Sequence, residues 1–242
     1  MAKIQCNFIS YTLKRTVDVD VILPTVTIPE SFEGNCSHKK KDKYPVLYLL
    51  HGYGNNHAQW CGYTNIELYA EERQIAVVMI SGENKKYIKQ PEDDFVKFLQ
   101  EELPEFITAT FPISDKQENT YIAGLSMGGF GALYHGLSRP DLYAGIGAFS
   151  PAIEMENNPI KILDILTNYQ GNQQIFITCG DQDFIYEQSV TLNKRLEELN
   201  IEHTWVSKQG YEHEWRFWDI SIEAFLDWLT RVDAYKDSGR KV

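Results

Sequence analysis

The stretch TYIAGLSMGGFGALYHG, residues 120–136, carries the pattern on which the interpretation of the whole chain depends. It begins as an apolar, strand-like run and continues as a helix-like run, with glycines on both sides of Ser126. Glycine tolerates positive φ angles and lets two backbones come close. A G-x-S-x-G pattern between a strand and a helix is typical of a nucleophile elbow, a strained turn that exposes a serine hydroxyl. We therefore predict a nucleophilic Ser126, with tight strand–helix packing as the alternative explanation of the glycines.

Apolar runs on both sides of this stretch predict a mostly parallel sheet covered by helices on both faces. An alternating run at 16–23 pairs best with residues 3–11 as an N-terminal antiparallel pair. The apolar runs are YPVLYLLHG (44–52), IAVVMISG (75–82), YAGIGAFS (143–150) and QIFITCGD (174–181), with HTWVSKQG (203–210) as a weaker one. Ligands of such sheets bind beyond the carboxyl ends of the strands. Functional side chains should therefore follow the strands directly.

One helical pattern contains two prolines. It runs from Pro91 to Ile107, with Pro91 in a first-turn position. Proline in a helix interior removes a hydrogen bond and clashes with the preceding turn, so Pro104 predicts a kink or a break.

The length and charge of the chain limit its organisation and its partners. The 242 residues suit a single domain, 1–242, with a polar tail at about 233–242. The 23 basic and 34 acidic residues give a net charge of −11, which argues against nucleic acid or an anionic membrane as partner. The first residues lack the apolar core of a signal peptide, so we expect a cytoplasmic protein, monomeric or assembled as a homo-oligomer.

The four cysteines are scattered along the chain. Cys6, Cys36, Cys61 and Cys179 lack the spacing of zinc or redox sites, and we expect reduced thiols. The histidines also lack the spacing of a metal site. The glycines around Ser126 do not form the dinucleotide fingerprint G-x-G-x-x-G. The sequence therefore predicts no metal and no cofactor.

A serine hydroxyl needs a base to take its proton and an acid to orient that base. In folds that place the serine in a nucleophile elbow, the order along the chain is serine, acid, histidine. His213, in the loop after the last predicted strand, fits as the base, with a surface histidine at a helix start as the alternative. Asp181 and Asp183 end the preceding strand, and we favour Asp183 as the acid because it lies beyond the strand and can turn towards His213. Asp181 fits a role in holding the turn.

The negative charge that develops on the substrate oxygen needs backbone donors. We predict the N–H groups of Met127, which follows the nucleophile, and Tyr53, in the loop HGYGNN (51–56). His51 fits a turn-stabilising role better than a catalytic one. Trp215 is a candidate for lining the acyl pocket, with packing of the last helix as the alternative.

Several segments together resemble the tributyrin esterase group within the esterase D-like family of α/β-hydrolases. They are YLLHGYGNN (48–56), EELPEFITATFPIS (101–114), YIAGLSMGGFGAL (121–133), CGDQDF (179–184) and HEWRFW (213–218). The resemblance implies an α/β-hydrolase fold and a serine carboxylesterase for short acyl esters, with Ser126, Asp183 and His213 at the matching motif positions. The family also contains S-formylglutathione hydrolases, feruloyl and acetyl-xylan esterases, and mycolyltransferases.

The chain departs from the family pattern in ways that leave its substrate open. Tyr53 is bulky at a position where relatives often carry a smaller or more flexible residue. The segment 81–94 is rich in lysine where a more aromatic substrate loop is expected. The segment 151–173 is short, which predicts a small cap with room for one helix. The alternatives to hydrolysis are acyl transfer by the same triad and a catalytically silent protein of the same fold that binds a partner.

Overall fold

The computed structural model describes residues 1–34, 37–39 and 42–238, and over these residues the strands form one eight-stranded sheet. The strand order is β1-β2-β4-β3-β5-β6-β7-β8. The first two strands pair antiparallel, β2 also runs antiparallel to β4, and all other neighbours are parallel. The predicted mostly parallel sheet with an N-terminal antiparallel pair is confirmed. The strands are β1 (Ala2–Ser10), β2 (Arg15–Leu23), β3 (Val46–Leu50), β4 (Ala76–Ile80), β5 (Thr120–Leu125), β6 (Gly145–Phe149), β7 (Gln174–Gly180) and β8 (Thr204–Lys208).

Helices cover both faces of the sheet because the central strands are buried on both sides. The helices are α1 (Ile28–Phe32), α2 (Gln59–Tyr63), α3 (Ile66–Arg73), α4 (Phe95–Lys97), α5 (Leu103–Thr110), α6 (Met127–Ser138), α7 (Ile162–Thr167), α8 (Tyr186–Glu198) and α9 (Trp215–Trp228). One apolar cluster packs α5, α6, α7 and α8 on one face, and a second packs α2, α3 and α9 on the other. None of the helices in the described part is long and apolar enough to cross a bilayer.

The expected kink at Pro104 takes a different form. The helix begins at Phe95, and the side chain of Asp94 caps it by accepting the Lys97 N–H at 2.9 Å. Residues Phe98–Glu102 then form a π-helical turn, and Leu103 N–H reaches back five residues to the Phe98 carbonyl. Pro104 lies in the first turn of the α5 segment that follows, and the wider turn before it accommodates a residue that donates no hydrogen bond.

The end of the described chain packs on the domain. The Arg231 guanidinium forms an ion pair with Asp233 at 2.7 Å, and the Tyr235 hydroxyl donates to the Asp42 carbonyl at 2.9 Å. The Tyr235 ring also stacks on Tyr44. Asp233 and Tyr235 therefore pack on the domain within the segment predicted as a polar tail, whereas residues 234, 236 and 237 are exposed. Cys6, Cys61 and Cys179 are free thiols, whereas Cys36 lies outside the described residues.

Two glycines allow β3, β5 and α6 to approach one another at the carboxyl end of the sheet. A Cβ on Gly128 would lie 2.6 Å from the His51 carbonyl oxygen and even closer to that of Leu50. A Cβ on Gly124 would lie 2.8 Å from the same Leu50 oxygen and would also meet the Gly128 carbonyl. Backbone atoms cannot rotate away as side-chain tips can. Both positions therefore require glycine.

We predict that Gly128→Ala lowers the free energy of unfolding by roughly 1–3 kcal/mol or more, the range of an overpacked core. The matched control is Gly62→Ala, because a Cβ on Gly62 in α2 meets nothing within 4 Å. The control should be neutral or slightly stabilising, since alanine favours helix more than glycine does. Urea unfolding of both variants measures the difference, and equal stability of the two would contradict the packing argument.

Candidate active site

Ser126 lies in a strained turn between β5 and α6. Its φ and ψ angles are 53° and −117°, a region that residues other than glycine rarely adopt. The turn is held from several sides. Ser126 N–H donates to the Phe149 carbonyl at 2.9 Å, and the Ser126 carbonyl accepts from Phe130 and Ala152. This backbone lifts the side chain out of the crowded contact between strand and helix and leaves it partly exposed.

His213 and Asp183 join Ser126 in one chain of hydrogen bonds. His213 Nε2 lies 3.0 Å from Ser126 Oγ, and His213 Nδ1 lies 2.8 Å from Asp183 Oδ2. The three side chains come from the loops that follow β5, β7 and β8. Parallel strands bring these loops to the same edge of the sheet, so residues far apart in sequence meet there.

The environment of Asp183 keeps its carboxylate charged. Burial alone would raise its pKa, but the hydrogen bond from His213 and the Ile185 N–H at 3.0 Å outweigh it and hold the pKa below its usual value. Asp181 faces another way, and its Oδ1 accepts the Gly210 N–H at 2.7 Å. Asp181 thereby ties the loop after β7 to the loop that leads to His213.

The loop after β3 lies directly beside Ser126. A Cβ on Gly52 would stand 3.3 Å from Ser126 Cβ, so this backbone passes as close to the serine as a glycine allows. Met127 is the first residue of α6, where a backbone N–H has no acceptor within the helix. The Tyr53 side chain points away into solvent and is 71% exposed, which leaves its backbone beside the site unobstructed by its ring.

His51 braces this loop as a neutral side chain. Its Nδ1–H donates to the Gly52 carbonyl at 2.7 Å, and its Nε2 accepts the Gly82 N–H at 2.8 Å. Burial lowers the pKa of His51 to about 4, which keeps Nε2 free to accept. The Gly52 carbonyl and the Tyr53 N–H belong to one planar peptide, so the His51 bond also fixes the direction of that N–H.

The lysine-rich segment 81–94 holds neighbouring loops together. Lys86 Nζ donates to the Glu156 carbonyl at 2.6 Å, which joins the segment to residues 151–173. Lys85 Nζ pairs with Asp93 at 2.8 Å. This hydrogen bond is the main reason why the pKa of Asp93 lies below its usual value. Within residues 151–173, all of which the structure describes, one helix forms, the six-residue α7.

Tyr87 supports the same loop as His51, although no pattern in the sequence predicted its place. Its hydroxyl donates to the His51 carbonyl at 2.9 Å, and its ring is fully buried against the Gly82 and Gly131 positions. A tyrosine within a run of lysines gives little sign of burial. The apolar Ile88 beside it was the one feature of the sequence that indicated burial of this segment.

Two aromatic rings flank the His213 imidazole, and neither belongs to the predicted Trp215. Phe184 lies 4.6 Å from it between ring centroids and is 81% exposed, and Trp218 meets it edge-on at 4.9 Å. Trp215 instead stacks on Tyr63 at 5.0 Å and meets Trp218 at 5.3 Å. Its described contacts favour the packing alternative over the acyl pocket. The position of Phe184, directly after the predicted acid, could have indicated its place.

Among the described residues, no group of three or more His, Cys, Asp or Glu side chains is arranged to hold a metal ion.

Residues 10–228 match the family described as "Putative esterase". The chain belongs to this esterase family. An acetyl esterase of Caldicellulosiruptor saccharolyticus is 30% identical to it, over 96% of this chain and 99% of the relative. An endo-1,4-beta-xylanase/feruloyl esterase of Xylanibacter ruminicola is 30% identical over 76% of this chain, which spans only 26% of that longer relative.

The crystal structure of an S-formylglutathione hydrolase from Staphylococcus aureus superimposes with a TM-score of 0.80 at 25% identity. The match covers 94% of this chain and 98% of that one. This similarity confirms the α/β-hydrolase fold. The family and its relatives support an ester hydrolase, and the resemblance drawn from the sequence motifs is confirmed at the level of the esterase family.

Proposed function

We propose that this protein is a serine carboxylesterase that cleaves short acyl esters through an acyl-enzyme on Ser126. The observation that carries the proposal is the geometry of one hydrogen-bonded chain. Ser126 Oγ lies 3.0 Å from His213 Nε2, and His213 Nδ1 lies 2.8 Å from a buried carboxylate of Asp183. The esterase family and the acetyl esterase relative support the ester class.

Acylation begins with attack on the ester carbonyl. As Ser126 Oγ forms a bond to the carbonyl carbon, His213 Nε2 takes the hydroxyl proton and the carbonyl π electrons move to the oxygen. Asp183 accepts the Nδ1–H and stabilises the imidazolium that results. The Met127 and Tyr53 N–H groups are the proposed donors to the oxyanion. His51 positions the Tyr53 donor by holding the Gly52 carbonyl.

The tetrahedral intermediate then collapses and the carbonyl re-forms. The bond to the alcohol oxygen breaks, and that oxygen takes the proton from His213 Nε2. Water next gives a proton to the same nitrogen and attacks the acyl carbon. Ser126 leaves as the re-protonated hydroxyl and the acid is released. An alcohol in place of water would give acyl transfer by the same steps.

The position of Phe184 bears on the alcohol part of the substrate. The leaving oxygen must come within hydrogen-bonding distance of His213 Nε2, and the exposed Phe184 ring lies against that imidazole. A phenyl ring held in water favours an apolar neighbour. We propose short acyl groups, such as acetyl or butyryl, on an apolar or aromatic alcohol. The acetyl esterase relative and the short segment 151–173 support the small acyl group.

The first test is turnover of p-nitrophenyl acetate and butyrate without added metal or nucleotide. We expect hydrolysis by the native protein and a loss of at least ~10³-fold in kcat for Ser126→Ala, because the nucleophile is removed. Undiminished turnover by the variant would contradict the mechanism. A native protein that hydrolyses neither ester would support the alternative, a catalytically silent protein that binds a partner.

The second test separates the two aspartates that follow β7. Asp183→Asn should lower kcat by up to the order of 10⁴-fold seen in the serine-protease triad, because the amide favours the wrong imidazole tautomer. Asp181→Asn is the matched control. It keeps an oxygen that accepts the Gly210 N–H, so activity should stay within a few-fold of wild type.

Circular dichroism of both variants checks folding. A crippled Asp181→Asn beside an active Asp183→Asn would reassign the acid.

A further inference from the structure

Residues 82–87, which follow β4, hold the loop after β3 from one side, and we call them the bracing segment. The Tyr87 hydroxyl donates to the His51 carbonyl of that loop at 2.9 Å. The Asn84 side chain accepts the Gly54 N–H at its Oδ1, at a distance of 2.7 Å. These two hydrogen bonds reach the loop on either side of its proposed oxyanion donor.

The two bonds matter because of their places along the backbone. A peptide group is planar, so a hydrogen bond to its carbonyl or from its N–H fixes the direction of both. The Tyr53 N–H shares a peptide group with the Gly52 carbonyl, which accepts from His51 Nδ1 at 2.7 Å. Tyr87 holds the peptide group before this one, and Asn84 holds the peptide group after it. The proposed donor thus lies in the middle of three consecutive peptide groups, each of which has a hydrogen-bond partner.

Tyr87 also contacts α6, the helix that begins with the other proposed donor. His135 of that helix is fully buried, and its Nε2–H donates to the Tyr87 carbonyl at 2.7 Å, since a carbonyl can only accept. Its Nδ1 accepts from the Gln100 amide at 3.0 Å, and burial lowers the pKa of His135 to about 4, so the imidazole is neutral. The Tyr87 ring packs against Gly131 of the same helix. Tyr87 therefore connects the two elements that contain the proposed oxyanion donors.

The bracing segment has an unusual backbone conformation that contacts outside the loop maintain. Four of its residues have φ angles between 48° and 57°, although none of them is glycine: Glu83, Asn84, Lys86 and Tyr87. Such angles cost free energy and persist where the surrounding contacts determine them. Arg15 of β2 pairs with Glu83 at 2.8 Å, and Lys86 Nζ donates to the Glu156 carbonyl at 2.6 Å. The segment is therefore fixed to other parts of the protein as well as to the loop that it holds.

We propose that Tyr87 and Asn84 are positioning residues that keep the Tyr53 N–H directed at the substrate oxyanion. The proposal rests on the function proposed above and deepens it, because it names the side chains that hold one oxyanion donor in place. A preorganised donor stabilises the charge of the transition state without having to reorient. When one of the two bonds is removed, the peptide group of the donor gains freedom and its alignment is partly lost. The loss should weaken binding of the transition state much more than binding of the substrate.

Tyr87→Phe and Asn84→Gly remove the two bonds one at a time. Phenylalanine keeps the buried ring, and glycine adopts the positive φ of Asn84 without strain. Complete removal of an oxyanion donor costs ~10²–10³-fold in kcat, so a misaligned donor should cost less. We expect kcat for p-nitrophenyl acetate to fall ~10-fold in each variant, with KM nearly unchanged. Because Asn84 is exposed, its variant remains a test even where Tyr87→Phe fails to fold.

Two matched controls precede β6 and β8, at the amino ends of the strands and away from the site. Tyr143 is a buried tyrosine whose hydroxyl donates to the Leu99 carbonyl at 3.4 Å. Asn200 is exposed like Asn84 and has a φ angle of 54°. Tyr143→Phe and Asn200→Gly should keep kcat within a few-fold of wild type. Controls that lose as much kcat as the variants of Tyr87 and Asn84 would show a general effect of such substitutions and would overturn the proposal.

A trifluoromethyl ketone with a short alkyl chain tests stabilisation of the oxyanion directly. Ser126 Oγ forms a bond to the ketone carbon, His213 Nε2 takes the hydroxyl proton, and the carbonyl π electrons move to the oxygen, which becomes an alkoxide. The inhibition constant should rise in Tyr87→Phe and Asn84→Gly by the same factor by which kcat/KM falls. An inhibition constant that stays at the native value while kcat/KM falls would place the loss outside the oxyanion site and would overturn the proposal.

NMR relaxation of the Tyr53 amide measures the same hold in the resting protein, independently of turnover. The amide should be rigid in the native protein and mobile on the nanosecond timescale in both variants. An amide that is as rigid in the folded variants as in the native protein overturns the proposal. Thermal unfolding of each variant confirms that the compared proteins are folded.

The two readouts separate the positioning role from the function on which it rests. An active native protein whose kcat is unchanged in both variants overturns the positioning role and leaves the esterase standing. A Tyr53 amide that becomes mobile in the variants of a protein that hydrolyses no ester and binds no ketone overturns the proposed function. In that case the hold of Tyr87 and Asn84 on the loop still stands.

Discussion

The close backbone contact among β3, β5 and α6 is the constraint on which the site depends. Gly124 and Gly128 bring the helix start against the Leu50 and His51 carbonyl oxygens at the end of β3. The chain between these glycines must turn sharply, and Ser126 takes the strained conformation that the turn requires. The same contact sets the first N–H of α6 beside the loop that contains Gly52 and Tyr53. One packing solution thus positions the serine and its proposed oxyanion donors together.

The charges around this turn are arranged by burial and by hydrogen bonds. His51 is buried without a carboxylate partner in its described contacts, and it is kept neutral, as an acceptor for one loop and a donor to another. Asp183 is buried with donors on both oxygens, and it is kept charged. His51 is therefore neutral and Asp183 is charged at the same edge of the sheet. In each case the hydrogen-bond partners that replace water determine which form is stable.

The sequence was informative where local pattern and chain order determine the answer. Gly-x-Ser-x-Gly between a strand and a helix located Ser126, and the order of the strands left His213 and an aspartate after β7 as its partners. The alternation of valine and aspartate in β2 identified the antiparallel pair. Predicting these features requires only the neighbouring residues and the rule that the carboxyl ends of parallel strands lie at one edge of the sheet.

Other features depend on contacts that no local pattern contains. The packing of Tyr235 depends on Tyr44 and Asp42, which lie nearly two hundred residues earlier in the chain. Phe184 and Trp218 flank His213 because two loops and a helix converge there.

The central claim is that Ser126 becomes covalently acylated, and mass spectrometry of an acid-quenched reaction tests it most directly. During turnover of p-nitrophenyl butyrate the intact protein should gain the mass of one butyryl group, and peptide mapping should locate it on Ser126. The Ser126→Ala protein should gain none under the same conditions. A butyryl group found on another residue would contradict the account. So would steady turnover without any acylated Ser126, when the reaction is quenched faster than the acyl-enzyme can be hydrolysed.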